Sequence, residues 1–390
     1  MRDGPLGRGD RVLVAGVSAR AMAESAARAG YAVTSLDAFG DLDRPRGVTA
    51  LSVPRDFGTP FSAAAAARAS LSVAAEAVAY LSPFENHPSS LRRLAEARTL
   101  LGNDATVLRR ARDPSVVAEL PGANRAVAHI GEPHTGEARW LLKPRASGGG
   151  HGIRWWQPGD VVPKGSYVQP FVDGVAGSIV FVAAHGTATP LGLTRQLIGE
   201  PAFGASGFRY CGSVLAPAGD GQFDRDDELI AAVTHLADVA ARELGLVGLN
   251  GIDFVARQGV PVPVEINPRW SASMELVERA YGVSMFDVHA NACTSGDLST
   301  FDIARARAGA RAFGKAIIFA RHDIVCDDTA SWLADSTVRD VPHRGEHIAA
   351  GRPVCTVFAD GADSALCLAA LETRAAAVYE TLDRWSTVPA

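Results

Sequence analysis

Two short stretches of this chain place carboxylates, an amide and a cation where oxygen-binding chemistry needs them. Gly251-Ile252-Asp253-Phe254-Val255 and Val264-Glu265-Ile266-Asn267-Pro268-Arg269 lie on two expected strands, Gly251–Ala256 and Val262–Asn267, joined by a turn at Arg257-Gln258-Gly259. Side chains alternate along a strand, so Glu265 and Asn267 point to one face. Asp253 can face them from the neighbouring strand. Two carboxylates and an amide oxygen are hard donors that suit Mg²⁺ held against a polyphosphate. Arg269 follows at the strand end, where a guanidinium can bind phosphate or a developing anion. The plainer reading is an acid pair salt-bridged to Arg269, since acids flanked by apolar residues are costly without compensation.

A second signal runs through Leu142-Lys143-Pro144-Arg145-Ala146-Ser147-Gly148-Gly149-Gly150-His151-Gly152. A lysine ends a strand and a glycine-rich loop follows. Glycines let backbone N–H groups approach phosphate oxygens, and lysine adds a compact charge. No GK[ST] follows and no helix opens, so this is not a Walker A loop. A flexible hairpin is the alternative. The third stretch, Tyr167-Val168-Gln169-Pro170-Phe171-Val172-Asp173-Gly174, is a strand running into a glycine turn whose backbone could meet a purine edge. By itself it is an ordinary strand. Arg195 and Arg209, in cation- and aromatic-bearing loops between these stretches, could hold a substrate carboxylate or be surface arginines. Lys315 could reach into a cleft but reads first as a surface strand end, His151 could touch phosphate but reads first as a solvated loop residue, and Cys211 reads as a small buried residue rather than a nucleophile.

These residues need elements to position them. Residues 11–37 read as strand Arg11–Ala15, turn Gly16–Ser18, helix Ala19–Ala29 closed by Gly30, and a second strand ending at Asp37. A βαβ opening predicts a parallel sheet. The GxGxxG fingerprint is missing, so Asp37 reads as a polar strand end rather than a ribose ligand. Asn103–Ala128 reads as helical with a break at Pro121. Trp140–Lys143, Gly152–Trp156, Tyr167–Val172 and Ser178–Ala184 read as strands. Glu228–Leu244 and Ser271–Cys293 have helical apolar spacing, the second as one long helix. From Gly314 onward the pattern is that of a small α/β module ending in the helix Ser364–Arg384.

Composition narrows the classes. The chain has 390 residues, which predicts two to four domains. Its charge sum is −5, against the basic excess of proteins whose business is a phosphate backbone, so no nucleic-acid partner is expected. Five scattered cysteines without CxxC spacing argue against a disulfide framework or structural zinc and fit a reducing compartment. The polar, glycine-rich start lacks a signal-peptide core, and no apolar run is long enough to span a bilayer. A cytoplasmic protein with no membrane partner is expected.

The order of these stretches resembles the ATP-grasp superfamily, from about residue 10 to residue 310 and onward into the C-terminal module. The carrying residues are Lys143-Pro144 with the glycine loop, Gln169 to Gly174, and above all Asp253 with Glu265-Ile266-Asn267-Pro268-Arg269. The resemblance implies a mixed α/β and α+β architecture. It has a Rossmann-like N-terminal domain (1–102), an ATP-grasp domain (103–305) and a small β-rich, biotin-carboxylase-like C-terminal module (306–390). It implies ATP and Mg²⁺, with Lys143, Ser147, Gly148, Gly149 and Gly150 at the phosphates and Gln169, Pro170, Phe171 and Val172 at the adenine. Asp253, Glu265 and Asn267 would be metal ligands and Arg269 the catalytic cation. Arg195 and Arg209 remain the candidates for a substrate carboxylate. The chain departs from the family where a ribose-binding acid is expected, with Gly177-Ser178 there and Asp173 as a substitute. It also lacks the earlier ATP-binding lysine; Arg109 and Arg110 stand near its place.

The implied reaction activates a carboxylate as an acyl phosphate and joins it to an amine, both small molecules, in a protein that is commonly a homodimer. Gly16 to Arg20, Asp41-Leu42-Asp43 and Glu265 to Ser273 also resemble ATP-grasp ligases of C1-carrier cofactor synthesis (tetrahydromethanopterin or methylofuran), where glutamate onto an amine would be the ligation. A carboxyphosphate-forming carboxylase and a non-catalytic nucleotide-binding regulatory protein are the alternatives. No biotin-attachment Met-Lys-Met is present.

Overall fold

Alternation of short β-branched strands with alanine-rich helices builds the first layer. A computed structural model describes residues 6–121, 139–298 and 300–386. Among them, Arg11–Ala15, Ala32–Asp37, Val48–Ser52, Ala77–Tyr80 and Thr99–Leu101 form an all-parallel sheet, with Arg11–Ala15 between Ala32–Asp37 and Ala77–Tyr80. Helix Arg20–Arg28 packs its Met22, Ala23 and Ala26 against this sheet. Small side chains let helix and sheet approach closely. The Asp37 carboxylate accepts the Ala19 N–H at 2.9 Å, and those of Phe39 and Gly40. It is the polar strand end expected, fixing the helix entry.

The stretch from Asn103 departs from expectation. Helices Ala105–Ala111 and Pro114–Ala118 break at Asp113, not at Pro121. Asp104 and Asp113 each cap a new helix start, and proline at a first turn carries no N–H to lose. The remainder of the expected helix, 122–128, lies outside the described residues.

Trp140–Pro144 lies between Arg154–Trp156 and Ser166–Pro170 in a three-stranded antiparallel sheet. The largest sheet begins with the hairpin of Val260–Asn267 and Gly248–Arg257. It continues through Val175–Ala184, Thr187–Ile198 and Tyr210–Leu215. It then takes in Ala312–Phe319, Pro353–Gly361 and Val338–Arg339, so the C-terminal strands extend this sheet instead of forming a separate one. Helix Asp226–Leu244 covers one face with Leu229, Val233, Leu236 and Ala240. Helix Ser364–Ser386 packs Leu371, Ala375 and Val378 beside the C-terminal strands.

The expected long helix over 271–293 is two helices, Ala272–Tyr281 and Met285–Thr294. Gly282 takes φ +68, and its N–H closes on Glu278, ending the first. The Ser284 hydroxyl then donates to Asp287 at 2.9 Å as the second begins. Among the described residues no helix is long and apolar enough to cross a membrane.

Candidate active site

A cleft of about 910 Å³ lies where the loops of the parallel sheet, the three-stranded sheet and the large sheet meet. The hairpin register sets Asp253 opposite Glu265 and Gly251 opposite Asn267. Asp253, Glu265 and Asn267 all line the cleft. Asn267 Nδ2 donates to Asp253 Oδ2 at 2.9 Å, and its Oδ1 accepts from Arg269 Nη2 at 3.1 Å. Burial, and then the charge of Glu265, push the Asp253 carboxyl up from the usual carboxylate range. Burial would raise Glu265 as well, but Arg112 against it, with Lys143 and Arg269, holds it below its ordinary value. Asp253 thus carries the part of the pair's charge that protein cations do not balance. Hard donors with such an excess fit a divalent cation. Among the described residues no three His, Cys, Asp or Glu side chains form a metal cage, so the remaining ligands would be phosphate or water oxygens.

The cations around this pair are held from outside the hairpin. Lys143 Nζ, in the cleft wall, donates to Gln169 Oε1 at 3.0 Å. Arg269 Nε donates to Glu85 Oε1 at 2.7 Å, and the Glu85 side chain is wholly buried. Arg112 pairs with Glu265, and its other nitrogens donate to Asn86 Oδ1 and the Ser147 carbonyl, each at 3.0 Å. One short turn, Phe84–Asn86, therefore fixes both guanidiniums, while Tyr80 and Asn103 each donate to the Pro268 carbonyl at 3.0 Å.

The glycine loop closes over the cleft. Gly149 and Gly150 have φ of +60 and +74, and a Cβ on Gly150 would stand 1.8 Å from the Phe208 carbonyl oxygen. Only glycine fits there. The loop also docks through the Tyr210 N–H on the Gly149 carbonyl at 3.1 Å. At the apolar end, Phe171 and Phe208 lie edge-on to Trp155, with the Arg139 guanidinium over Trp155 and Phe171. Phe171 spends its N–H on the Arg139 carbonyl and Pro170 has none, so the next donor along the chain is Val172.

At the other end, Arg20 Nε meets Asp340 at 2.6 Å and Arg20 Nη2 meets Glu275 at 2.9 Å. Lys315 Nζ meets the other Glu275 oxygen at 2.7 Å. Burial works against the Glu275 charge, but Arg20, Lys315 and Arg279 hold its carboxyl well below the usual range.

A model of the ATP-grasp domain matches residues 116–273, the stretch that carries the glycine loop and the hairpin of Asp253 and Glu265. The chain carries an ATP-grasp domain. A search of curated protein sequences gave no match. Among solved structures, the L-amino acid ligase of Bacillus licheniformis is similar with a TM-score of 0.62 and 16% identity, over 94% of this chain and 97% of that one. An N5-carboxyaminoimidazole ribonucleotide synthetase gives 0.65 and 15%, over 98% and 100%. The biotin carboxylase of Campylobacter jejuni gives 0.65 and 13%, over 93% and 89%. At these identities the likeness is one of fold.

Within this ATP-grasp fold the cleft gathers Lys143, Gly148, Gly149, Gly150, Gln169, Pro170, Phe171, Val172, Asp253, Glu265, Asn267 and Arg269. Several expected residues stand elsewhere. Ser147 does not line it; its hydroxyl donates to the His151 carbonyl at 2.6 Å and shapes the loop. Arg195 is in strand Thr187–Ile198, not a loop, and alternation turns it away from the face that Gln196 presents to the cleft. Arg209 donates to the Gly351 carbonyl at 2.6 Å and stacks over Phe319, tying the loop to the C-terminal strands. Asp173 is an exposed partner of Arg139. Arg109 and Arg110 are exposed, and Arg112 is the arginine that reaches the site. Lys315 is a buried cleft residue. Cys211 is buried, its thiol pushed up to about 11 by burial, which leaves it inert. Glu85, Asn86, Arg112 and Glu275 carry no local motif, because their partners are far away in the chain; Glu85 and Arg269 are 184 residues apart.

Proposed function

We propose that this chain is an ATP- and Mg²⁺-dependent ligase that activates a carboxylate as an acyl phosphate and joins it to an amine. One observation carries this reading: Asp253 opposite Glu265 in the same cleft as Lys143, the glycine loop and Arg269. Lys143 and the N–H groups of Gly148 to Gly150 hold phosphates, and Gln169 to Val172 flank the adenine. Asp253, Glu265 and Asn267 would hold Mg²⁺, which would offset phosphate charge. Arg269, oriented by Glu85, stabilises the anion formed as the carboxylate oxygen is phosphorylated. Phosphoryl transfer needs positioning and charge neutralisation more than a protein nucleophile, which suits a cleft without a nucleophile–base pair among its described residues. The division into 1–102, 103–305 and 306–390, a cytoplasmic setting and a homodimer belong to the same reading.

The L-amino acid ligase and the ribonucleotide synthetase similar to the chain support carboxylate activation. The test is a screen of the protein with ATP, Mg²⁺ and panels of carboxylic acids and amines, reading ADP. Stimulation by one acid–amine pair is expected; none from any pair overturns the reading. A second reading, a carboxyphosphate-forming carboxylase, is favoured by similarity to biotin carboxylase over 93% of the chain, and bicarbonate-stimulated ADP release would select it. The narrower assignment to tetrahydromethanopterin or methylofuran assembly rests on the sequence resemblance alone. Its residues Arg20 and Asp43 belong to the buried charge network in the fold.

A further inference from the structure

The cleft is larger than its nucleotide-facing half, and the remainder has a definite chemistry. Among the described residues, its lysines and arginines are Arg20, Lys143, Arg269 and Lys315. Lys143 and Arg269 stand at the proposed phosphate and reacting-carboxylate positions. Arg20 and Lys315 are committed to Glu275 and Asp340. The two acids are equally committed. Both Glu275 oxygens accept from these cations, and Asp340 takes Arg20 on one oxygen and the Thr356 hydroxyl, at 2.5 Å, on the other. The Arg20, Glu275 and Lys315 side chains are 3%, 6% and 7% exposed, so a ligand charge inserted here would strand a buried partner.

The parallel-sheet region lines the same cleft with Val17, Ala21, Phe61, Ala64 and Leu81, interleaved with the hydroxyls of Ser18, Ser62 and Ser82 and the His87 imidazole. Val17 is 38% exposed and Ala64 is exposed, so the wall offers apolar surface to a ligand.

We infer that the non-nucleotide end of the cleft takes a substrate with a neutral, apolar body, and discriminates against acidic and basic side chains. The inference rests on the proposed ligase reading for the place of the reacting carboxylate, and it deepens that reading by naming the substrate class. It replaces glutamate, the ligand suggested by the cofactor-assembly resemblance, with an aliphatic acid or amino acid. The reason is physical. Apolar contact with the wall is favourable for such a body, whereas a second carboxylate finds no lysine or arginine there that is not already spent on Glu275 and Asp340.

The test separates binding from turnover. Protein saturated with MgADP is titrated calorimetrically at pH 8 with L-leucine, L-glutamate, L-lysine, 4-methylpentanoate and glutarate. L-leucine or 4-methylpentanoate should bind about tenfold or more tighter than its charged counterpart. Ala64→Trp should weaken that binding about tenfold by filling the space before the wall, with MgADP affinity unchanged. Phe61→Ala, which removes apolar surface without adding bulk, should weaken it as well and serves if the tryptophan variant does not fold. Ala64→Arg supplies an uncommitted cation and should narrow the preference against glutamate. Tighter binding of a charged ligand, no binding by any of the five, or indifference to both wall substitutions overturns the inference. Binding of the apolar ligand without ADP release from ATP and any amine would instead leave the subsite standing and remove the ligase reading.

Discussion

Two carboxylate centres face the same cleft with opposite electrostatic completion. At one end Asp253 and Glu265 oppose each other across a hairpin, and protein cations balance only part of their charge. At the other end Glu275 sits among Arg20, Lys315 and Arg279, and each of its oxygens is taken. The Glu275 side chain is 6% exposed, whereas that of Glu265 keeps 30% of its surface open to the cleft. The first is poised to be finished by something that binds; the second is finished by the fold. The contrast shows how one cleft divides its duties. Incomplete charge balance marks where ligand charge enters, and complete balance marks a wall that ties together the helix Arg20–Arg28, the helix Ala272–Tyr281 and the C-terminal strands.

The sharpest way to break this comparison is to neutralise one carboxylate at each end. On the proposed ligase reading, Glu265→Gln should cut ATP turnover ~10³-fold, because the site would lose a charge that only the reacting state exploits. Its circular dichroism spectrum should match the parent. Unchanged ADP release would remove Glu265 from the site. Glu275→Gln acts on the fold instead. It strands Lys315 without its counter-charge, takes one of Arg20's partners while Asp340 and Glu24 remain, and should cost about 3 kcal/mol, read from the urea midpoint at pH 7. A midpoint shift within error would mean the network is ornamental.

A smaller effect sharpens the first end. Glu85 touches no ligand position but holds Arg269 at 2.7 Å, so it is a positioning residue. Glu85→Ala should lower kcat about a hundredfold through a misplaced guanidinium, with the KM for ATP little changed. Glu85→Asp or Glu85→Gln should recover part of that loss. A merely structural Glu85 would lower stability and leave the kcat of the folded fraction intact.

What the sequence discloses follows from range. The hairpin with Asp253, Glu265 and Asn267 is legible because strand alternation and a tight turn fix which side chains face one another. The glycine loop is legible because Gly150 answers a local backbone demand. The second helix break is less so, since Gly282 sits in an otherwise good helical pattern and only its φ of +68 reveals the stop. Arg195 reads as a ligand candidate until register assigns it to the other face of its strand. Glu85 and Arg112 carry no sequence signal at all, and Arg20 stands only in a resemblance that says nothing of its partner. Their roles arise where the chain returns after 184, 153 and 255 residues to Arg269, Glu265 and Glu275.

The last prediction turns the comparison into opposite responses to pH. The Asp253 carboxyl is pushed up to about 6 in the fold against 3.8 as its ordinary value. Between those values the unfolded chain is ionised there while the fold holds the proton, so Asp253 costs stability as pH rises, and the full cost applies above about pH 6. Asp253→Asn should therefore stabilise the metal-free protein at pH 7.5 by up to about 3 kcal/mol, and the gain should fade on acidification toward pH 4. Glu275 runs the other way. Its carboxyl lies well below the ordinary 4.5, so it contributes stability above that value and loses it as pH falls further. The deficit of Glu275→Gln should then be constant from pH 7.5 to about 5 and shrink only below 4.5. Urea titrations in EDTA across pH 4–8 read both curves. Adding Mg²⁺ should shrink the Asp253→Asn advantage, because a bound cation favours the ionised carboxylate, and should leave the Glu275→Gln deficit in place. Two variants with the same pH response would erase the distinction between the ends of the cleft.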